Sequence, residues 1–195
     1  AQDASDHRGK ILRFEIQEDG TLVPKARNSI SAELKREIFS LGHRNLQGIA
    51  FAEEFEAVLI AEHGPQGEDE INVLRAGENY GWPLATFGEE YGGGVIGTHR
   101  IPEYHDPIVY YLPSIAPREI RYVEQNNLFP ELNNSFLVAS LKFQMIVVLK
   151  LNEGRRKQRI IDLSGFGRIS SFDINSVGEI FFVTHSSPGS LDRIR

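Results

Sequence analysis

The chain has 195 residues, a formal net charge of −6, 41% hydrophobic and 25% charged residues, and no cysteine. That suffices for one domain with a sizeable core and is an ordinary soluble, globular composition. It excludes disulfides, thiolate metal sites and a cysteine nucleophile, makes nucleic acid a poor partner, and leaves no apolar run near the ~20 residues that cross a bilayer.

Twelve Phe and six Tyr beside 18 Gly and 9 Pro favour short strands over long helices. No signal peptide is recognised, and residue 1 is Ala rather than Met. "GKILRFEIQEDGTLVP" at 9–24 reads as a hairpin with Asp19-Gly20 at its turn. "SAELKREIFSL" at 31–41 suits a short helix, or a strand through Ile38-Phe39. A three-strand unit then recurs. Its first copy takes 48–52, 57–63 and 71–77, and its second 119–123, 134–142 and 145–151. Its third takes 170–174, 178–185 and 191–195, while 9–24 belongs to an earlier, incomplete copy. In each copy the middle strand is nearly all apolar, as expected for sheets stacked face to face. The pattern predicts an all-β chain, a single partial β-propeller domain over 1–195 with about three to four blades. A β-sandwich with Greek-key links is the alternative.

The polar residues fall at equivalent ends of these copies. "GHRNLQG" at 42–48 leads into the first strand of copy one, Pro117-Arg118 into that of copy two and Arg168-Ile169-Ser170 into that of copy three. The middle strands end at Glu62-His63, Leu141-Lys142 and Thr184-His185. Arg44, Lys142 and Arg168 are therefore expected at one mouth, where cations on an acidic chain suit a polyanionic ligand. "EHGPQGEDEINVLRAGENYGWP" at 62–83 is the densest stretch. Gly64-Pro65 makes a constrained turn whose carbonyls can face a hard cation, with Asp69 and Glu70 close by to supply charge. Glu68, Asp69 and Glu70 are otherwise a solvated acidic turn. Tyr80 and Trp82 either wall a sugar pocket or serve as core aromatics. His43 and His63 lack a zinc-helix spacing and read as structural.

"GHRNLQG", "EHGP…DEIN", "NYGWP", "PSIAP" and "SLK" occur in the order found in soluble sugar dehydrogenases that use pyrroloquinoline quinone, and the chain resembles that glucose/sorbosone and aldose sugar dehydrogenase family. The resemblance spans 42–142, and "AQD…RGKILR" and "GRI" extend it over nearly the whole chain. It implies a six-bladed β-propeller with the quinone at the channel mouth and a calcium ion bridging cofactor and protein. It implies that the carbonyls of Gly64 and Pro65 hold the calcium. Arg44 and Asn45 would touch the quinone, Lys142 and Arg168 would face its carboxylates, and Asp69 would be another cofactor-side residue. Gln47, Tyr80 and Trp82 would lie toward the sugar. The family's proton-accepting histidine belongs to blades before this region, so no catalytic residue is assigned and the chain by itself is expected to be inactive. The chain also departs from the family. Ser170 and Ser171 stand where an arginine and an aspartate are usual, His185 where an aspartate is usual, and Arg118-Glu119 replaces a small polar continuation. The rival readings are a non-catalytic binding or scaffold module and a calcium-dependent lactonase-like hydrolase. The resemblance implies a periplasmic or secreted protein, and open propeller edges imply a homodimer.

Overall fold

The computed structural model describes residues 1–25, 28, 34–152 and 155–194. Among them there is no α-helix, only strands and two 3-10 turns. The chain divides into two compact units, residues 1–46 with 62–112, and residues 47–61 with 113–195.

In the first unit β1 (Lys10–Leu12) pairs antiparallel with β4 (Ile38–Leu41). β2 (Phe14–Ile16) and β3 (Leu22–Pro24) form a two-stranded hairpin around Asp19-Gly20, as the pattern predicts. Of the ambiguous stretch 31–41, residues 31–33 lie outside the described residues, and Ile38-Phe39 is strand. β7 (Asp69–Leu74) pairs with β8 (Val109–Tyr111), which the three-strand repeat does not anticipate.

β5 (Leu46–Ala52) and β6 (Ala57–Glu62), which belong to the second unit but for Leu46 and Glu62, are neighbours joined by a 3-10 turn at Glu53–Phe55. β9 (Pro117–Val123), β10 (Ser135–Ser140), β11 (Met145–Asn152) and β12 (Arg155–Asp162) follow as an antiparallel meander in chain order. β13 (Ile169–Ile174), β14 (Ile180–Thr184) and β15 (Leu191–Ile194) form a three-stranded meander. Chain-order meanders of about four strands are the construction of propeller blades.

The apolar middle strands have a simple cause. β10 is buried along its whole length, because both of its faces are covered. Leu137 and Ala139, with Ile146 and Val148 of β11, pack in one cluster with Ile169, Phe172, Ile180 and Phe182 of the next sheet. On the alternate positions Phe136 meets the Tyr122 ring at 5.0 Å, and Tyr122 meets Phe55 edge-on at 5.9 Å. A strand with no solvent face has no polar alternation to show.

At Gly48 the backbones of β5 and β9 touch with no side chain between them. A Cβ there would lie 2.4 Å from the Arg118 carbonyl oxygen and 2.8 Å from the Ile120 nitrogen. Farther along, a cleft of about 350 Å³ opens between Ile49–Phe51 and Glu119–Tyr122. Gly48→Ala is expected to cost roughly 2 kcal/mol through overpacking, a fall of about 5 °C in melting temperature for a chain of this size. Differential scanning calorimetry of the variant checks this, and an unchanged melting temperature rules out the close contact.

Candidate functional site

A buried carboxylate organises the turn that follows β4. Glu62, the last residue of β6, is 3% exposed. Its Oε2 accepts the Arg44 main-chain N–H at 3.0 Å. Its Oε1 accepts Asn72 Nδ2 at 2.9 Å and lies 3.2 Å from His43 Nδ1. The other ring nitrogen of His43 meets Ser40 Oγ at 2.9 Å, and the ring stacks on Tyr80 at 4.5 Å. One acid therefore joins the loop 42–44 to β7, which carries Asn72.

Arg44 extends from this anchor. Its Nη1 donates to the His63 carbonyl at 3.0 Å, and its guanidinium lies 5.3 Å from the centre of the Trp82 ring. The His63 N–H in turn donates to the Asn45 carbonyl at 2.8 Å. The guanidinium is oriented by a carbonyl and an aromatic face and keeps donors for a further acceptor.

The turn after His63 is tight enough to require glycine. A Cβ on Gly64 would sit 1.5 Å from the Glu68 carbonyl oxygen. The Gly64 N–H donates to Asp69 Oδ1 at 3.2 Å, so the buried Asp69 braces this turn. Glu68 Oε2 accepts from the Thr86 hydroxyl and from the main-chain N–H groups of Phe87 and Gly88, which fastens the 86–88 segment. Its Oε1 is buried with no partner among the described residues. Glu70 Oε2 accepts from Asn72 Nδ2 at 2.9 Å. Burial, then the neighbouring Glu62 and Glu68 charges, hold the Glu70 carboxyl well above the usual carboxylate range. Burial raises Glu68 as well, against the opposing pull of its hydrogen bonds. Arg44, Gly64, Pro65, Glu68, Glu70 and Trp82 surround a cavity of about 20 Å³, room for one water-sized occupant. No group of three or more His, Asp or Glu side chains among the described residues is arranged to hold a metal ion, so a cation here would also rest on main-chain carbonyls.

Arg44, Gly64, Pro65, Tyr80 and Trp82 thus meet at one cavity. The Tyr80 hydroxyl is committed to the main chain, donating to the Val73 carbonyl at 2.5 Å and accepting the Arg75 N–H at 3.0 Å. Burial pushes its ionisation up to about 12. Gln47, Lys142 and Arg168 belong to the second unit. There Gln47 Oε1 accepts from Arg118 Nη1 at 2.8 Å. Lys142 and Arg168 are exposed at strand ends; the ammonium of Lys142 lies 5.2 Å from the Phe143 ring, and the Arg168 carbonyl accepts the His185 N–H at 2.7 Å. Sequence reasoning passed over Glu62 and Asn72 as site residues. The available signal was an acid closing an otherwise apolar strand, with an amide two residues into the next.

The Glucose / Sorbosone dehydrogenase family model matches residues 1–193. The chain belongs to this family. It is 30% identical to an aldose sugar dehydrogenase of Escherichia coli across its whole length, covering 53% of that protein. Over 82 residues it is 42% identical to quinoprotein glucose dehydrogenase B of Acinetobacter calcoaceticus, covering 16% of that protein. The crystal structure of the soluble E. coli aldose sugar dehydrogenase in its apo-form superposes with a TM-score of 0.84 at 30% identity, over 98% of this chain and 55% of the other. A glucose dehydrogenase crystal structure gives 0.89 at 28% identity, over 100% of this chain and 56% of the other. The fold is accordingly the all-β propeller of these dehydrogenases, represented in part. The chain spans about half the length of the relatives it matches across its full extent.

Two outcomes test this site. Glu62→Leu strips Asn72, His43 and the Arg44 N–H of a buried partner, and is expected to cost ~3 kcal/mol, lowering the melting temperature by about 6–12 °C. Glu68 and Glu70 bind protons more tightly folded than unfolded, so the folded state carries more protons from their ordinary value of 4.5 up to their raised ones. Stability contributed by the protonated forms is therefore present at acid pH and lost as pH rises through that window. In calcium-free buffer Glu70→Gln should melt above the parent at neutral pH and converge with it at pH near 4.5. Thermal melts across that range check the sign, and a Glu70→Gln variant less stable at neutral pH reverses it.

Proposed function

We propose that the chain supplies part of the cofactor and calcium site of a pyrroloquinoline-quinone-dependent aldose dehydrogenase. The observation that carries this reading is the Arg44 guanidinium held by the His63 carbonyl and the Trp82 ring beside the Gly64-Pro65 turn. The donor set fits a calcium ion. The cavity admits an ion-sized occupant, its lining is acidic, and the buried Oε1 of Glu68 accepts no N–H or hydroxyl group among the described residues. The carbonyls of Gly64 and Pro65 would hold the ion, with Asp69 fixing the turn that presents them. The cavity is too small for a tricyclic quinone, which therefore belongs at the cationic surface outside it. In the first unit Arg44, with Asn45 next to it, would offer charge to an anionic ligand; in the second unit Lys142 and Arg168 are exposed cations suited to the same charge. Gln47 and Trp82 lie toward the sugar, while Tyr80 supplies its ring only. When bound, the quinone supplies a two-electron acceptor for an aldose. The same reading puts the protein in the periplasm or outside the cell.

A specific observation favours a second reading, a binding module without redox activity of its own. Ser170 donates to the Val183 carbonyl at 3.0 Å within its own sheet, and Ser171 lies 3.4 Å from Glu119. These hydroxyls add no charge next to Arg168.

Titration of the purified chain with calcium and the quinone separates the two. Calcium should raise the melting temperature, because a ligand specific for the folded state stabilises it. The quinone's absorbance should then shift saturably, and Arg44→Ala should weaken that binding about tenfold or more. Aldose oxidation should stay at the level of a cofactor-only control, since general base catalysis typically contributes ~100- to 10,000-fold. A parent chain that binds neither calcium nor quinone overturns the first reading.

A further inference from the structure

We propose that Gln2 is a positioning residue, holding the Trp82 ring against the Arg44 guanidinium and so setting how well that cation receives an anionic ligand. The effect on a ligand rests on the quinone reading above, whereas the placement of Trp82 does not. Gln2 opens the "AQD…RGKILR" run and belongs to the first unit with Arg44 and Trp82. Its Nε2 donates to the Trp82 carbonyl at 2.7 Å and to Asn79 Oδ1 at 3.1 Å, and its Oε1 accepts Asn79 Nδ2 at 2.7 Å. The two half-buried amides therefore face each other with donor and acceptor both engaged, a pairing that needs a second amide. Asn79 Oδ1 also accepts the Gly81 N–H at 3.0 Å. The Trp82 N–H donates to the Gly42 carbonyl at 2.9 Å. The main chain of Trp82 is thus pinned on both sides, by Gly42 through its N–H and by Gln2 through its carbonyl. Between these two points the ring leaves the chain, and the Arg44 guanidinium lies 5.3 Å from its centre.

Gln2 is itself firmly seated. The buried Lys10 ammonium donates to the Ala1 carbonyl at 2.7 Å and to the Arg8 carbonyl at 3.2 Å. The His43 N–H donates to the Gly9 carbonyl at 3.2 Å. A Cβ on Gly9 would lie 2.5 Å from the His43 carbonyl oxygen and 2.6 Å from the Ala1 Cβ, so Ala1, Gly9 and the loop 42–44 are in direct contact. That loop also leaves no room for a Cβ at Gly42 against the Asn79 amide. Arg44 is therefore fixed from two directions. Glu62 holds its main chain, and Gln2 holds the ring on which its guanidinium rests. Without the Gln2 amide the Trp82 carbonyl and the Asn79 side chain lose these partners, and the 79–82 turn can shift. A guanidinium whose aromatic face moves is no longer oriented in advance for an anion.

Tryptophan fluorescence of the 195-residue chain tests the placement directly, because Trp82 is the single tryptophan and its emission reads this position alone. In buffer without calcium or quinone, Gln2→Leu and Gln2→Ala should each raise the acrylamide-quenching constant at least about twofold, with far-UV circular dichroism at the parental value. Quinone titration in the presence of calcium tests the consequence. Gln2→Leu should weaken quinone binding about fivefold, yet change it by less than about twofold when added to Arg44→Ala, since the loss passes through Arg44. A merely structural role would cost the same in both backgrounds. Quenching that is unchanged in both Gln2 variants overturns the proposal, and so does an equal loss of quinone affinity with and without Arg44. A parent chain that binds no quinone overturns the quinone reading instead, and the quenching constants then decide the role of Gln2.

Discussion

The first unit depends on the Glu62 carboxylate being buried and fully occupied. Each of its oxygens receives a donor from a different part of the chain: the Arg44 N–H on one, Asn72 on the other, with His43 beside it. A buried charge without partners is costly, so the loop 42–44 and β7 are bound to a single arrangement around Glu62. Arg44 inherits its direction from this. Its main chain is held by the acid, and its guanidinium rests on the His63 carbonyl and the Trp82 face.

The same neighbourhood holds more acid than it can comfortably ionise. Glu62, Glu68 and Glu70 share one cavity wall, and the cations among its lining residues reduce to Arg44. Protons are one answer, and burial with the neighbouring Glu62 and Glu68 charges moves the Glu70 carboxyl in that direction. A divalent cation is the other, since it would relieve the mutual repulsion and engage the buried Oε1 of Glu68.

The strands of the repeat were legible because burial dictates their pattern. The apolar runs at 57–63, 134–142 and 145–151 correspond to β6, β10 and β11 within a residue or two at each end. β12 was not legible: an outermost strand with one sheet neighbour needs few apolar residues, and its Arg-Arg-Lys-Gln-Arg start looks like a loop. β8 is three residues between prolines and escaped for want of length. At the site, Arg44, Gly64, Pro65 and Trp82 stand in compact runs whose residue types have few other uses together. Glu62 and Asn72 sit at ordinary strand positions, where only burial reveals that one acid has three dependants. The family resemblance rested on the compact runs, and the match over 1–193 bears it out.

Gly48 fixes a distance that no repacking can adjust. Side chains in a core can trade volume with one another, so spacings between sheets usually drift as sequences change. Where β5 meets β9 the nearest atoms to Gly48 are main chain, with the Ile120 Cγ2 methyl beside them, and main chain does not vary with sequence. The position works as a mechanical stop. Substitutions around it can alter how firmly the strands are pressed together, whereas a side chain at position 48 itself would force them apart.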